Sequence, residues 1–386
     1  MKTSPLLPRL LLTAIFISSM ISLFAQDVYL PSSTKSKEIK EMYQQSIDAM
    51  LQADIQKGQQ LADKALKADP NFFMGYFIKT FTNNKDERVK YLKLMADYNA
   101  KLNKGEKILK NMAAANIKDP KASSVPYARD IAKAYKKNLF ANNMLAFYLM
   151  NENKPEEALT YLNTNIKLKP DWPPTQNLMG YAYLRLENYE KAKIAFNKYI
   201  ALAPDIANPY DSKGDYYMAT KEYNKALKSF EKAYSMNNQF EISRKKADKA
   251  KWLISSDKIK PIIDKHTTDI LNAFIARDLK KYHSYFNHHA SFKFIWNGEE
   301  NNSLKEMMKM DYKNQKEWDD FSFELKKQMT NVINDECAVS TQKFDISVSK
   351  KDGTSIKAEG FWSLVWMLMD DKWKVIQAIE TTNFIE

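Results

Sequence analysis

Between residues 139 and 240 the apolar and small positions repeat every 34 residues. The stretch ENYEKAKIAF at 187–196 returns as KEYNKALKSF at 221–230. Three units align on that spacing, with columns Leu145/Met179/Lys213, Ala146/Gly180/Gly214, Leu149/Tyr183/Tyr217, Pro155/Tyr189/Tyr223, Ala158/Ala192/Ala226 and Leu162/Phe196/Phe230. Each unit reads as two helices. The small columns let the helices of one unit approach closely, and the large column at Leu162, Phe196 and Phe230 fills the space between units. Pro170 and Pro204 close the first two units, because a proline cannot continue a helix, and Asn238 stands where a third would be.

Upstream the period weakens. GQQLADKALKADP (58–70) fits a second helix ahead of its proline, 86–117 a long lysine-rich helical stretch, and SVPYARDIAKAYKKN (124–138) the helix before the first clean unit. Downstream, 241–260 predicts a basic helix that can cap the stack, since a terminal repeat needs a polar outer face. Near Lys260 the pattern changes. Residues 262–286 predict an amphipathic helix with Ile270, Phe274 and Leu279 on or near one face. A strand ASFKFIW, a short helix SLKEMMKMDYKNQ and four alternating strands follow, with KDGT and DDK as hairpin turns. The expected order is irregular helical repeats over 26–138, regular repeats with a capping helix over 139–259, and an α+β domain over 260–386.

The columns of the three units resemble the tetratricopeptide repeat. In that family the first helix of each unit lines a concave groove that binds a protein partner. Here the resemblance places Asn143, Phe147 and Met150, then Asn177, Tyr181, Leu184 and Arg185, then Asp211, Asp215 and Met218 along the groove. Family members that clamp a C-terminal carboxylate use Lys, Asn and Arg at several of these places. Asp211 and Asp215 would repel it, so the groove suits an extended peptide or a neighbouring domain. Packing between helices is the other reading of Phe147, Tyr181 and Met218.

Residues 260–386 resemble the nuclear transport factor 2-like, SnoaL-like superfamily, on the strength of NAFIARDLKKYHSYFNHHASF (272–292) and GFWSLVWMLMDDKWKVIQAIET (360–381). The resemblance implies an α+β cone, helices on a curved antiparallel sheet. That superfamily holds isomerases, dehydratases and epoxide hydrolases beside non-catalytic binding domains, and fold alone does not choose among them. The isomerase pattern puts its proton-moving groups at Ile270, Phe294 and about Leu364, none of which can exchange a proton. Tyr282 and Tyr285 lie a helical turn or more beyond the tyrosine position. The expected pocket is therefore apolar, lined by Ile270, Phe274, Phe294, Trp296, Trp362, Leu364 and Trp366. His283 with His288 or His289 is the one group able to hold a metal or shuttle protons, but no Asp or Glu lies in that stretch.

Composition narrows the rest. Cys337 is the only cysteine, which excludes an intramolecular disulfide and cysteine-ligated zinc. The eight glycines are scattered too widely for dinucleotide or phosphate-binding loops. No cofactor is implied. Lys2 and Arg9 precede an apolar run over 10–24, which predicts a cleaved signal peptide over 1–25 and a periplasmic or secreted protein with no transmembrane span. From Lys260 onward 18 Lys+Arg stand against 20 Asp+Glu, so the net charge of +12 sits in the front half. Spread along helices, those lysines read as solvated faces; an anionic envelope surface is the alternative partner. Export disfavours nucleic acid. The expectation is a non-catalytic binding protein, with a protein partner in the groove and an apolar small molecule, or a docking contact, at the terminal domain. The alternative is an isomerase, dehydratase or epoxide hydrolase.

Overall fold

The structure is a computed structural model that describes residues 28–288, 292–301 and 303–385. The signal segment expected over 1–25 lies outside the described residues, as does His289. The chain divides into two compact units, one ending at Ala247 and the other beginning at Asp248.

The first unit is helical. Its elements are α1 (Lys37–Leu51), α2 (Ile55–Ala68), α3 (Phe73–Lys79), α4 (Lys85–Ala96), α5 (Lys104–Lys118), α6 (Val125–Ala134), α7 (Leu139–Asn151), α8 (Pro155–Leu168), α9 (Pro173–Arg185), α10 (Tyr189–Leu202), α11 (Ala207–Ala219) and α12 (Tyr223–Met236). Each regular unit turns from its first helix to its second in the same way. Asn153, Glu187 and Lys221, spaced by the repeat, all take positive φ, at 58°, 53° and 59°. The next amide then reaches back: Lys154 N to Leu149 O, Asn188 N to Tyr183 O and Glu222 N to Tyr217 O, at 2.8–2.9 Å. This Schellman-type closure satisfies a carbonyl that the helix end would leave bare. Ala53 repeats it between α1 and α2, so the irregular front half begins with a pair of the same construction.

The small columns behave as their sizes require. A Cβ built on Gly180 would stand 2.5 Å from the Phe196 ring, and one on Gly214 would collide with Phe230. Ala158, Ala192 and Ala226 are fully buried, as are Leu162, Phe196 and Phe230. One apolar core runs from Leu30 to Ala182 and includes Phe73, Phe77, Leu109, Ile131, Leu145 and Leu149.

The division between the units falls inside one long helix, α13 (Glu241–Ile275), rather than at 260. The sequence predicts two helices there; the structure has one, with Pro261 inside it. A proline in a helix interior costs about 3 kcal/mol by removing a hydrogen bond. Here Pro261 and Asp257, whose carbonyl loses that bond, are both exposed, so no buried group is orphaned. The predicted helix over 262–286 is also broken: Arg277 takes positive φ, Asp278 N closes on Ala273 O, and a short α14 (Leu279–His283) follows.

The second unit then forms β1 (Lys293–Trp296), β2 (Glu299–Asn301), α15 (Leu304–Glu317), β3 (Trp318–Asn334), β4 (Cys337–Lys350), β5 (Ser355–Met369) and β6 (Lys372–Ile385). The sheet order is β2-β1-β6-β5-β4-β3. The short β2 is an element that alternation did not predict, and β1 pairs parallel with β6 while the other pairs are antiparallel. Among the described residues no helix is long and apolar enough to cross a membrane.

Candidate functional site

The second unit contains a cavity of about 410 Å³. Its walls come from the end of α13, from α14, from one face of α15 and from one face of the sheet. Register explains the sheet wall. Trp296 stands opposite Glu380, Glu380 opposite Trp362, and Trp362 opposite Gln342, so one rung crosses four strands. Residues on a common rung share a face. Two residues further along β6, Thr382 and then Phe384 continue the same lining.

Four of the seven expected pocket residues line this cavity: Phe274, Phe294, Trp296 and Trp362. Ile270, Leu364 and Trp366 do not. All three are fully buried in the core of the unit. The helix covers that end of the sheet: Thr267 on α13 donates to Ser340 Oγ at 3.0 Å, and Trp366 Nε1 donates to the same oxygen at 2.9 Å. His266 stacks on the Trp366 indole. These residues hold the helix to the sheet and leave the cavity to their neighbours.

The cavity is less apolar than the sequence led us to expect. Asp311 from α15, Glu380 from β6 and the phenol of Tyr282 from α14 all line it. Tyr282, which the sequence left out of the expected pocket, is among the lining residues, on the short helix that follows the break at Arg277. Asp311 accepts from or donates to His283, with Nε2 to Oδ2 at 2.8 Å and both side chains buried. So His283 does have an acidic partner, supplied by another helix, and its Nε2 is already engaged. His288 is exposed. Among the described residues no group of three or more His, Cys, Asp and Glu stands ready for a metal.

Trp296 Nε1 donates to Thr382 Oγ1 at 3.1 Å, and Thr382 donates to Glu380 Oε1 at 3.3 Å. Burial pushes the Glu380 carboxyl up to about 7, helped by the charge of Asp311 and opposed by the Thr382 hydrogen bond. Burial also raises Asp311, against the pull of His283. The Tyr282 phenol is held well above its usual value by burial and by both carboxylates. Three groups able to carry a proton therefore face one space.

Sequence reasoning missed Asp311 and Glu380, yet each left a trace. Leu304, Met307 and Asp311 share a helical face, and Glu380 shares a face of β6 with Ala378 and Phe384. An acid at an inward position of an amphipathic element is the signal.

The repeats carry a second concavity, of about 510 Å³. Asn143, Phe147, Met150, Asn177, Tyr181 and Arg185 line it together. Phe147 is 43% exposed, while the amide oxygens of Asn143 and Asn177 are buried with no hydrogen-bond partner among the described residues. Asp211, Asp215 and Met218 do not line it. The acidic end that we expected to repel a carboxylate is partly offset, by one ammonium shared between two carboxylates: Lys246 Nζ stands 2.7 Å from Asp211 and 2.7 Å from Asp215, and Ser243 donates to Asp211 at 2.6 Å. Tyr181 is partly structural, donating to Asp215 at 2.8 Å and meeting the Phe196 ring edge-on. Arg185 donates to the Met150 carbonyl.

Residues 173–206 and 207–240 match the tetratricopeptide repeat, and 263–379 match the SnoaL-like domain. The chain carries both. No curated protein matches it. Among solved structures, the hexachlorocyclohexane dehydrochlorinase LinA-type3 from Novosphingobium barchaimii LL02 is 12% identical, with 34% of this chain and 92% of that one covered and a TM-score of 0.31. A nuclear transport factor 2-like superfamily protein from Salmonella enterica serovar Typhimurium LT2 is 15% identical, covering 34% and 94%, TM-score 0.30. The first TPR domain of the human RPAP3 protein is 18% identical, covering 31% and 94%, TM-score 0.30.

Proposed function

We propose that this chain of tetratricopeptide repeats and a SnoaL-like domain is an exported binding protein with no catalytic step of its own. The repeat groove holds an extended segment of a protein partner, and the terminal cavity takes a largely apolar small molecule. One observation carries the reading: a cavity of about 410 Å³ whose lining includes Phe274, Phe294, Trp296, Trp318, Trp362 and Phe384. That size suits a small ligand. Enclosing apolar area contributes roughly 25 cal/mol per Å². In the groove, exposed Phe147 offers an apolar anchor, and the unpartnered amide oxygens of Asn143 and Asn177 can accept from a partner's backbone N–H groups. Export rests on the basic residues and apolar run of the first 25 positions.

The test is a fluorescence titration of the full chain with a panel of apolar ligands, because Trp296, Trp318 and Trp362 line the cavity. A saturable shift that shrinks in Trp362→Phe is expected. A panel that leaves the emission unmoved sinks the reading. For the groove, Phe147→Asp should lose peptides selected by display on the wild-type chain while the melting temperature holds.

A specific observation favours a second reading, proton-transfer catalysis. Asp311, with His283 bonded behind it, and Glu380 line one cavity, and burial raises the Glu380 carboxyl to about 7. A carboxyl poised near 7 suits general acid–base chemistry. Steady turnover of any bound ligand, lost in Glu380→Gln, would establish it in place of simple binding.

A further inference from the structure

We propose that the terminal cavity selects an organic cation: an amine with an apolar body, its ammonium seated against Glu380 and facing Asp311 and Tyr282. The inference rests on the reading of this cavity as a small-molecule site and adds the charge of its ligand.

Three observations lead to it. First, the sign of the site is one-sided. Asp311 and Glu380 line one cavity, and the charge of each reaches Tyr282. Among the described residues Glu380 makes no ion pair; its recorded partner is the Thr382 hydroxyl. The charged and titratable groups around it are Asp311 and Tyr282, with His283 behind Asp311. Lys350 also lines the cavity, but it sits at the far end of β4, eight residues beyond the Gln342 that shares Glu380's rung. Eight residues of strand span roughly 25 Å. Second, Tyr282 is 6% exposed and lines the cavity, and the charges of Asp311 and Glu380 both act on its phenol. A phenol oxygen at that wall can accept from a donor. Third, Trp296 and Trp362 flank Glu380 on its own rung, on either side.

These features exclude more than they admit. An anionic ligand finds two acids, Asp311 and Glu380, and among the described residues no cation on the rung of Glu380. A hydrated metal ion needs several oxygen ligands and keeps its water, which aromatic walls do not replace. An ammonium fits each requirement. It pairs with the buried carboxylate, donates to the phenol oxygen and lies against indole faces that attract cations. Leaving a carboxyl buried without a counter-charge is costly, and burial accordingly raises the proton affinity of Glu380. A bound ammonium reverses that preference, so binding near neutral pH should release a proton.

The experiment uses the full chain and matched probes: 4-phenylbutylamine against 4-phenylbutanol, and 2-naphthylethylamine against 2-naphthylethanol, by calorimetry in buffers of different ionisation enthalpy. The amines should bind at least tenfold tighter than the alcohols and release protons at pH 7. Glu380→Gln, shown folded by its near-ultraviolet circular dichroism, should bring the amine-to-alcohol ratio close to one. Alcohols that bind as well as amines overturn the cation inference and leave the cavity reading standing. If no probe of either class binds, both fall.

Discussion

His283 Nε2 lies 2.8 Å from Asp311 Oδ2, joining two helices across 28 residues of chain, with both side chains shut away from solvent. The pair ties α14 to α15 and so holds together two walls of the terminal cavity. Its energetics follow from burial. A carboxyl in this position is raised by desolvation and pulled back by the imidazole.

Removing the imidazole should therefore cost more than one hydrogen bond. His283→Ala leaves Asp311 buried without its partner and should destabilise the second unit by about 3 kcal/mol. The deficit should be smaller at pH 5 than at pH 8, because a protonated Asp311 carries no buried charge. Denaturant melts at the two values decide it; equal deficits would mean that Asp311 is solvated.

Glu380 sets a separate pH dependence. Its carboxyl is raised from the ordinary value of 4.5 to about 7 in the folded chain, so the folded state holds the proton more tightly than the unfolded one. The stability that this contributes is full below about 4.5 and is lost as pH rises through 7. Glu380→Gln should remove that decline and leave the variant more stable than the parent at pH 8, by about 1–3 kcal/mol. A variant that melts in parallel with the parent at every pH contradicts the assignment.

Lys213 fills an apolar column of the repeat, where the other units have Leu145 and Met179. It is 4% exposed, its ammonium has no hydrogen-bond acceptor among the described residues, and burial lowers it to about 8. The Tyr216 ring, with its centroid 4.3 Å away, is partial compensation. Because the unfolded chain binds the proton more tightly, stability should rise between pH 8 and 10.5. Lys213→Met should raise stability at pH 7 by about 1–3 kcal/mol and abolish that rise. Thermal melts at pH 7 and 10 check both halves.

Gly180→Ala tests the close approach within a unit. In an open helix the change would stabilise by roughly 1 kcal/mol. Here the new Cβ stands 2.5 Å from Phe196, and overpacking of this kind costs about 1–3 kcal/mol. A lower melting temperature is expected; an unchanged or raised one would show that Phe196 swings aside freely.

The start of the terminal domain can be tested by truncation. Trp252 Nε1 donates to the Val332 carbonyl at 2.8 Å, Ser255 bonds Asp335, and Ile259 belongs to the core of the second unit. We propose that a fragment starting at Asp248 folds alone and that one starting at Lys260 is less stable, by about 2–4 kcal/mol for the lost packing. Urea melts of the two fragments separate the boundaries, and coincident midpoints would put the start at 260.

Much of this protein was written locally. The 34-residue columns named the small and large positions of each helix pair, because the packing within one unit repeats whatever lies outside it. The same holds for the alternation in β3 to β6, whose inward positions follow from a period of two. What a period cannot state is what covers a face. Trp362, Leu364 and Trp366 alternate identically along β5, yet Trp362 meets the cavity while Leu364 and Trp366 lie in the core beside α13. Asp211 and Asp215 read as an acidic groove end until Lys246, from the following helix, pairs with both and offsets one of their two charges. Asp311, Glu380 and Tyr282 come from three elements, and tertiary packing, together with the helix break at Arg277, brings them to one space. Charge and burial are properties of that space: a carboxylate's proton affinity depends on neighbours distant in sequence, and those neighbours are chosen by tertiary packing.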